Sequence, residues 1–358
     1  MKHATAEAEF VIPGNQFASD NTPGLCPRAL ERLVQANNGF ENSYGEDQYT
    51  LAASDAIRRY FDCPHCEVFF VFNGTAANAL ALASLCQSYH SVIAHESAHI
   101  ETDECGAPEF FSNGTKLLLA SGEHGKLTPG QVEWLIKKRS DIHYPRPNAL
   151  SLTQATELGT IYSLDEIRQL TSMAREHGLK THMDGARFGQ ALATLGCHPK
   201  EVTWKSGIDV LCLGFIKSGF SIGDAVVFFK PELAEEFDYR CKQAGQLASK
   251  MRFISAPTLS TFEDNLYLRH AEHANACARR LASAIQSLPG VTTLYPVEAN
   301  AVFVNMPNAV QQHVRKKGWK FYTFLGGGAR FMSSWATTFS EVDALAADMA
   351  TAATQFAQ

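Results

Sequence analysis

Between about residues 50 and 230 the chain alternates short apolar runs, rich in β-branched and aromatic residues, with longer stretches of helical period. No other feature limits the possible folds as much. Residues 67–72 and 91–94 read as strands on either side of a helical stretch over 75–87. Further strands are expected at 149–153, 180–183, 210–213 and 225–229, with a helix over 164–177 before the second of these. Strands joined through helices run parallel, so the expected fold is α/β, a mostly parallel sheet with helices on both faces. After Pro257 the texture changes to an Ala- and Arg-rich helical stretch over 265–288. Strand-like pieces follow at 291–294, 301–305 and 330–334, and then a final helix, which together read as a smaller α+β domain. The first 40 residues, rich in Pro, Gly and Asn, have weak periodicity and read as an arm. The expected division is an arm over 1–40, a large domain over 41–255 and a small domain over 256–358.

Charge and composition then narrow the partners. With 31 basic and 37 acidic residues, a net charge of −6 and no extended block of Lys or Arg, the chain has no footprint for nucleic acid or for an anionic membrane surface. At 45% hydrophobic and 19% charged residues it has ample material for a core. Residues 1–10 contain two Glu and no unbroken apolar stretch. Neither a signal peptide nor a transmembrane helix can be drawn there or elsewhere, and a cytoplasmic location is expected. Nine cysteines, an odd count in surroundings such as Leu211-Cys212-Leu213, suit reduced, buried thiols.

Three clusters fall at strand ends. In Asn73-Gly74-Thr75-Ala76 a strand opens directly into an Ala-rich helix, where free N–H groups, the helix dipole and a Thr hydroxyl converge as they would on an anion. A tight turn with an ordinary cap reads equally well from these residues alone. In Met183-Asp184-Gly185-Ala186-Arg187 an Asp ends a strand, the position where open α/β sheets hold ligands; a helix cap with a surface Arg is the plainer alternative. In Gly214-Phe215-Ile216-Lys217-Ser218-Gly219 a Lys follows a strand among apolar neighbours, surroundings that favour a neutral, nucleophilic amine, although a Lys after a strand is usually just solvated. An anion cup, an Asp and a nucleophilic Lys in order are what pyridoxal phosphate requires: a phosphate seat, a carboxylate for the pyridine nitrogen and an amine for the aldehyde.

The chain resembles the L-threonine aldolase and β-eliminating lyase family of fold-type I pyridoxal phosphate enzymes, in particular its low-specificity and phenylserine aldolase branch. The resemblance rests on Phe17-Ala18-Ser19-Asp20-Asn21, Tyr44-Gly45-Glu46-Asp47, Asn73-Gly74-Thr75-Ala76-Ala77-Asn78, Ala98-His99-Ile100, Glu104-Cys105-Gly106-Ala107-Pro108-Glu109 and Met183-Asp184-Gly185-Ala186-Arg187. It continues through Lys217-Ser218-Gly219, Ser249-Lys250-Met251-Arg252-Phe253 and Arg330 to Thr338. It implies an aspartate aminotransferase-like fold and cleavage of L-β-hydroxy-α-amino acids, of the threonine, allo-threonine or phenylserine type, to glycine and an aldehyde. It also implies that Lys217 carries the cofactor, that Asp184 pairs with the pyridine nitrogen, and that Gly74, Thr75 and Ala76 hold the phosphate. His99 would stack on the ring and is the candidate base. Ser19, Arg187 and Arg330 would grip the substrate carboxylate, and Arg252 would reach the phosphate of a neighbouring subunit. A homo-oligomer, either a dimer or a dimer of dimers, is implied as well.

The sequence departs from the family at two places. Thr156 occupies the position of a histidine carried by some members, and Gly214-Phe215-Ile216 before Lys217 is bulkier than expected. Tyr322 and Trp335 are candidate pocket walls. Racemase, aminotransferase or β-eliminating chemistry would use the same Asp and Lys. Cys63-Pro64-His65-Cys66 has the spacing of a dithiol or of two zinc ligands, but a helical stretch precedes it and no second Cys pair completes a metal site, so no metal is expected.

Overall fold

Seven strands form one mixed sheet: β1 (Glu67–Val71), β2 (His90–His95), β3 (Lys116–Ala120), β4 (Arg146–Thr153), β5 (Lys180–Gly185), β6 (Val210–Leu213) and β7 (Asp224–Phe228). The computed structural model describes residues 14–324 and 328–356; residues 1–10, which carry the reading against export, lie outside them. The strand order is β1-β7-β6-β5-β4-β2-β3. Strand β7 runs antiparallel to both neighbours, β1 and β6, and the remaining pairs are parallel. The carboxyl ends of β1, β2, β4, β5 and β6 therefore emerge on one edge, the edge where such sheets bind ligands. Every residue of β6 and β7 is buried, because helices cover both faces and the middle of the sheet meets no water.

Two helices show how the sequence sets its own boundaries. Helix Leu164–Glu176 starts at a capping box, in which the Glu166 N–H donates to Ser163 Oγ and the Ser163 N–H to the Glu166 carboxylate. Helix Gly74–Leu85 is apolar nearly all round and is buried from Ala76 to Ala83, as a helix without a polar stripe must be. One apolar layer, with Ile57, Phe61, Met183, Phe188, Leu211 and Phe215, covers one face of the sheet. Leu80, Val92, Val210, Val226 and Phe228 belong to the layer on the other.

A second sheet has four antiparallel strands in the order β10-β11-β9-β8: β8 (Thr292–Thr293), β9 (Ala301–Asn305), β10 (Tyr322–Thr323) and β11 (Ala329–Met332). It shares a core with helices Leu266–Ile285 and Phe339–Gln355 through Leu281, Val302, Val304, Phe331, Leu345 and Met349. The smaller α+β unit anticipated after Pro257 is thus an antiparallel sheet under helices, although the piece expected at 291–294 shrinks to two paired residues.

Three features add to or depart from what the sequence suggests. The first 40 residues include helix Pro27–Ala36, with Pro at its first position, packed on helix Arg252–Thr258. Upstream of it, Phe17 is buried in the second core; its N–H donates to Lys320 O (2.9 Å) and its carbonyl accepts from Met332 N (2.8 Å), so the chain around Ser19 is stitched to the small sheet. Strand β3 has no counterpart among the expected strands, because five residues between turns give too short a pattern. The nine cysteines are all free, but Cys105 is exposed and Cys197 half-buried, so burial does not extend to all of them. Among the described residues no helix is long and apolar enough to cross a membrane.

Candidate active site

Asp184 lies one residue from the carboxyl end of β5, Lys217 in a one-turn 3-10 helix, Ile216–Ser218, after β6, and Gly74 opens the helix after β1. Backbone packing brings these three ends together. A Cβ on Gly214 would lie 2.5 Å from Ala186 O, so only glycine lets the end of β6 pass so close to the residue after the Asp184 turn. The bulk that follows Gly214 does not stand in the way: the Phe215 ring is fully buried in the core. At the head of β7, Asp224 Oδ1 accepts the N–H groups of Phe215 (2.8 Å) and Ile216 (3.2 Å) and so pins the Lys217 turn. The turn closes at Gly219, with φ +78° and the Trp335 indole where a Cβ would be. Trp335 and Phe220 also stack on either side of His270, whose Nδ1 bonds to Ser218 O at 2.9 Å. Trp335 therefore braces the lysine turn.

At the helix start Asn73 Oδ1 caps Ala76 N at 2.9 Å. Of the expected anion cup, Gly74 and Thr75 keep open N–H donors, whereas that of Ala76 is taken.

Beside the cup runs a chain of four polar side chains. Asn78 Nδ2 donates to both Asp184 Oδ2 and Glu104 Oε1 (2.8 Å each), and Glu104 Oε1 in turn meets His99 Nδ1 at 2.9 Å. Burial acts to raise the Asp184 carboxyl, but the Ala186 N–H, the Lys217 charge and Asn78 outweigh it and hold the group below the usual carboxylate range. Glu104 has less support; burial and the charge of Asp184 push it up despite His99 and Asn78. The bond to Glu104 raises His99, with Glu157 and Asp184 adding and burial opposing. Below Asp184 on the same face of β5, His182 lies between Ser151 Oγ (2.9 Å) and Cys212 Sγ (3.2 Å). Burial pushes it down to about 4, so it is neutral at pH 7.

On the other side stand two arginines. Arg187 forks onto Asp20 through Nε (2.7 Å) and Nη2 (3.0 Å), and Asn300 Nδ2 donates to the same carboxylate at 3.0 Å. Arg330, on β11, donates from Nη2 to Ala18 O at 3.2 Å and lies within cation–π range of Tyr322 and Phe324, while its buried Nε has no partner. Burial and the nearby Arg187 lower its hold on a proton, the state of a cation that lacks an anion. Ser19 lies beside Asp20 in the same stitched segment, where its Oγ accepts from Asn21 N at 3.1 Å.

The structure thus brings Lys217, Asp184, His99, Arg187 and Arg330 within electrostatic reach of one another. Arg252 is held outside this group, with its Nε on Ala36 O (2.9 Å). Thr156 does not face the group either. It is buried, and its hydroxyl is spent on Thr160 Oγ1 (2.6 Å) and His124 O. The residue of that loop that does reach the site is the next one, Glu157. Asp20, Asn78 and Glu104 sat inside recognised motifs, so their signal was present but unassigned. Asp224, Asn300 and His270 carried none. Cys63 and Cys66 are buried, and burial pushes Cys66 up to about 12, away from the thiolate that redox or metal chemistry needs.

The family model described as beta-eliminating lyase matches residues 16–309. The chain belongs to the beta-eliminating lyase family. Within this family it is 58% identical over 335 residues to a low specificity L-threonine aldolase of Pseudomonas sp. (strain NCIMB 10558), covering 93% of this chain and 96% of the relative. The protein of the same name in Pseudomonas aeruginosa is 57% identical over the same shares. A threonine aldolase structure from Leishmania major matches with a TM-score of 0.89 at 25% identity, over 94% of this chain and 99% of that one. An aspartate aminotransferase mutant from Thermus thermophilus, at 15% identity and a TM-score of 0.70 over 95% and 97%, shares the fold. The beta-eliminating lyase fold thus accounts for the mixed sheet and the smaller antiparallel one.

Proposed function

We propose that this chain is a pyridoxal phosphate-dependent aldolase that cleaves L-β-hydroxy-α-amino acids of the threonine or phenylserine type to glycine and an aldehyde. The juxtaposition of a buried, fully hydrogen-bonded Asp184 with Lys217 at the carboxyl edge of the sheet carries this reading. High identity to the Pseudomonas aldolases supports it along 93% of the chain. The donor set fits the cofactor: open N–H groups at Gly74 and Thr75 for a phosphate, an ionised buried carboxylate for a ring nitrogen and an amine for an aldehyde. When bound, pyridoxal phosphate withdraws electron density from the amino acid's Cα and so makes its bonds breakable.

The protein's part is binding, orientation and proton control. Asp184, kept ionised by Ala186, Asn78 and Lys217, holds a proton at the pyridine nitrogen. His99, fixed by Glu104, offers a flat ring to stack on the cofactor. The unpartnered Nε of Arg330 points to that residue as the main grip on the substrate carboxylate, with Ser19 and Arg187 beside it. Since Asp20 already holds two donors of Arg187, that side chain contributes its remaining face and its charge. Such a grip fixes which bond at Cα stands ready to break.

We also propose a cytoplasmic homo-oligomer, dimer or tetramer, in which Arg252 serves the neighbouring subunit's phosphate, with 41–255 as the cofactor domain and 256–358 as the smaller one. Exposed Leu30, Val34, Phe40, Leu51 and Phe72 support a covered apolar face. Light scattering on the purified protein reads the assembly. The function is tested by the visible spectrum of the protein loaded with pyridoxal phosphate. A cofactor band should be fixed by borohydride in the wild type and absent from Lys217→Ala, and glycine and aldehyde should appear in equal amounts from L-threonine or L-phenylserine. A protein that takes up no cofactor, or yields a keto acid instead, would sink the reading.

A further inference from the structure

Of the titratable groups in the site, Glu157 is left without a role. It follows β4, whose last residue Thr153 pairs with Asp184 on β5, and the Gln154 N–H donates to Asp184 O at 2.8 Å. The loop beyond is rigidly tied. Gln154 exchanges two side-chain bonds with the backbone of Tyr162 (2.9 and 3.0 Å), and Thr156 and Thr160 join through backbone (2.9 Å) and hydroxyls (2.6 Å). Gly125 and Gly159, both at positive φ, let the loop seat closely, since a Cβ on either would meet Thr156 or Ala301 at 3.2 Å. With its neighbour Thr156 turned inward, Glu157 lies within electrostatic reach of the charged cluster: Asp184 on β5, Arg187 beyond that strand, His99, Lys217 and Arg330. Among the described residues it takes no hydrogen bond. Every other carboxylate of the cluster is bonded: Asp184 to Asn78 and Ala186, Asp20 to Arg187, Glu104 to His99.

A carboxylate held rigidly over a site yet bonded to nothing is free to bond a substrate. If Arg330 takes the amino acid's carboxylate and Lys217 yields its place to the amino group, the donor left on the substrate is its β-hydroxyl. We propose that Glu157 is the acid–base residue at that hydroxyl. As the Cα–Cβ bond breaks, Glu157 accepts the hydroxyl proton and the O–H electron pair becomes the second C–O bond of the aldehyde. The Cα–Cβ pair stays with Cα, which takes up one proton to become glycine. One proton leaves oxygen and one arrives at carbon, so no oxidant or reductant is consumed. In the direction of condensation Glu157 returns the proton. Burial raises the group above the ordinary glutamate range against the pull of Arg187, the direction that helps a carboxyl group give a proton as well as take one.

This inference rests on the aldolase reading, and the test separates the two. In Glu157→Gln, aldehyde release from L-threonine is expected to fall about 10²–10⁴-fold. Exchange of the glycine α-proton with deuterated water, which involves no β-hydroxyl, should change by less than about threefold, showing a folded and loaded site. Independently of turnover, infrared pH-difference spectra of the full-length apoprotein should contain a protonated-carboxyl band with a midpoint above the ordinary glutamate value that is missing from Glu157→Gln. Wild-type protein that releases no aldehyde overturns the aldolase reading. Wild-type cleavage with Glu157→Gln within about threefold of it, or no carboxyl band distinguishing the two proteins, overturns the role of Glu157 alone.

Discussion

The end of β5 and the loop after β4 each present one carboxyl group to the same site, and the two are held in opposite ways. Asp184 accepts from Asn78 and from the Ala186 N–H; Glu157 accepts from nothing among the described residues. Burial acts in the same direction on both and would raise both. Yet Asp184 ends below the usual carboxylate range and Glu157 above it. The difference lies in the supply of hydrogen-bond donors, since Lys217 and His99 act on both groups. One site can therefore keep one acid permanently ionised and leave another able to exchange protons, the division of labour on which acid–base enzymes depend.

The sharpest way to break this contrast is Asp184→Asn. The new amide is of the same size and can still accept from the Ala186 N–H, so the fold should persist. Loss of the charge should nevertheless lower the turnover number about 10²–10⁴-fold, read as glycine formed per cofactor bound. A smaller effect is expected of Asn78→Ala, which strips Asp184 of one donor and Glu104 of another. It should cost about 1.5–3 kcal/mol at pH 7 by denaturant titration, the range for hydrogen bonds to charged groups. Because the folded value of Asp184 is depressed, its stabilising contribution is present above the unfolded value and is lost as pH falls through the folded one. The gap between Asn78→Ala and wild type should therefore narrow in two stages, first above the ordinary glutamate value as Glu104 takes up its proton, and then below about pH 4 as Asp184 does. If the gap is the same at pH 3 as at pH 7, Asn78 does not act through those charges. The mildest change is Thr156→Val, which removes the bonds to Thr160 and His124. It should lower stability by about 1 kcal/mol and leave the substrate's KM nearly unaltered, in contrast to Glu157 one residue on. A large fall in turnover for Thr156→Val would erase the distinction between the two residues.

Legibility from sequence followed the same divide. Asp184 could be found because it falls at the carboxyl end of a short, almost wholly buried strand, and strand ends on a parallel sheet are where ligands sit. Lys217 and Gly74 could be found for the same reason. Glu157 could not, because a loop has no period that says which of two adjacent side chains faces inward. The sequence singled out Thr156 only as standing where some family members carry a histidine, and the fold buries it. The helix Pro27–Ala36 was hidden by the polar, Pro- and Gly-rich residues around it, and its packing on Arg252–Thr258 pairs segments more than 200 residues apart.

What the amino-acid sequence alone determined is local: the period of each segment, the glycines that tolerate tight turns, the caps that start helices and hence the three strand ends that carry Gly74, Asp184 and Lys217. Only the tertiary structure decided which distant groups meet there. The fork of Arg187 closes on Asp20, 167 positions away, Asn78 bridges to Glu104 and Asp184, and Asp224 pins the lysine turn from the strand that follows it. Pattern acts through the few residues of one turn or one strand. Charge and hydrogen bonding act through space, and the distances through space exist only once the two sheets and the helices have packed.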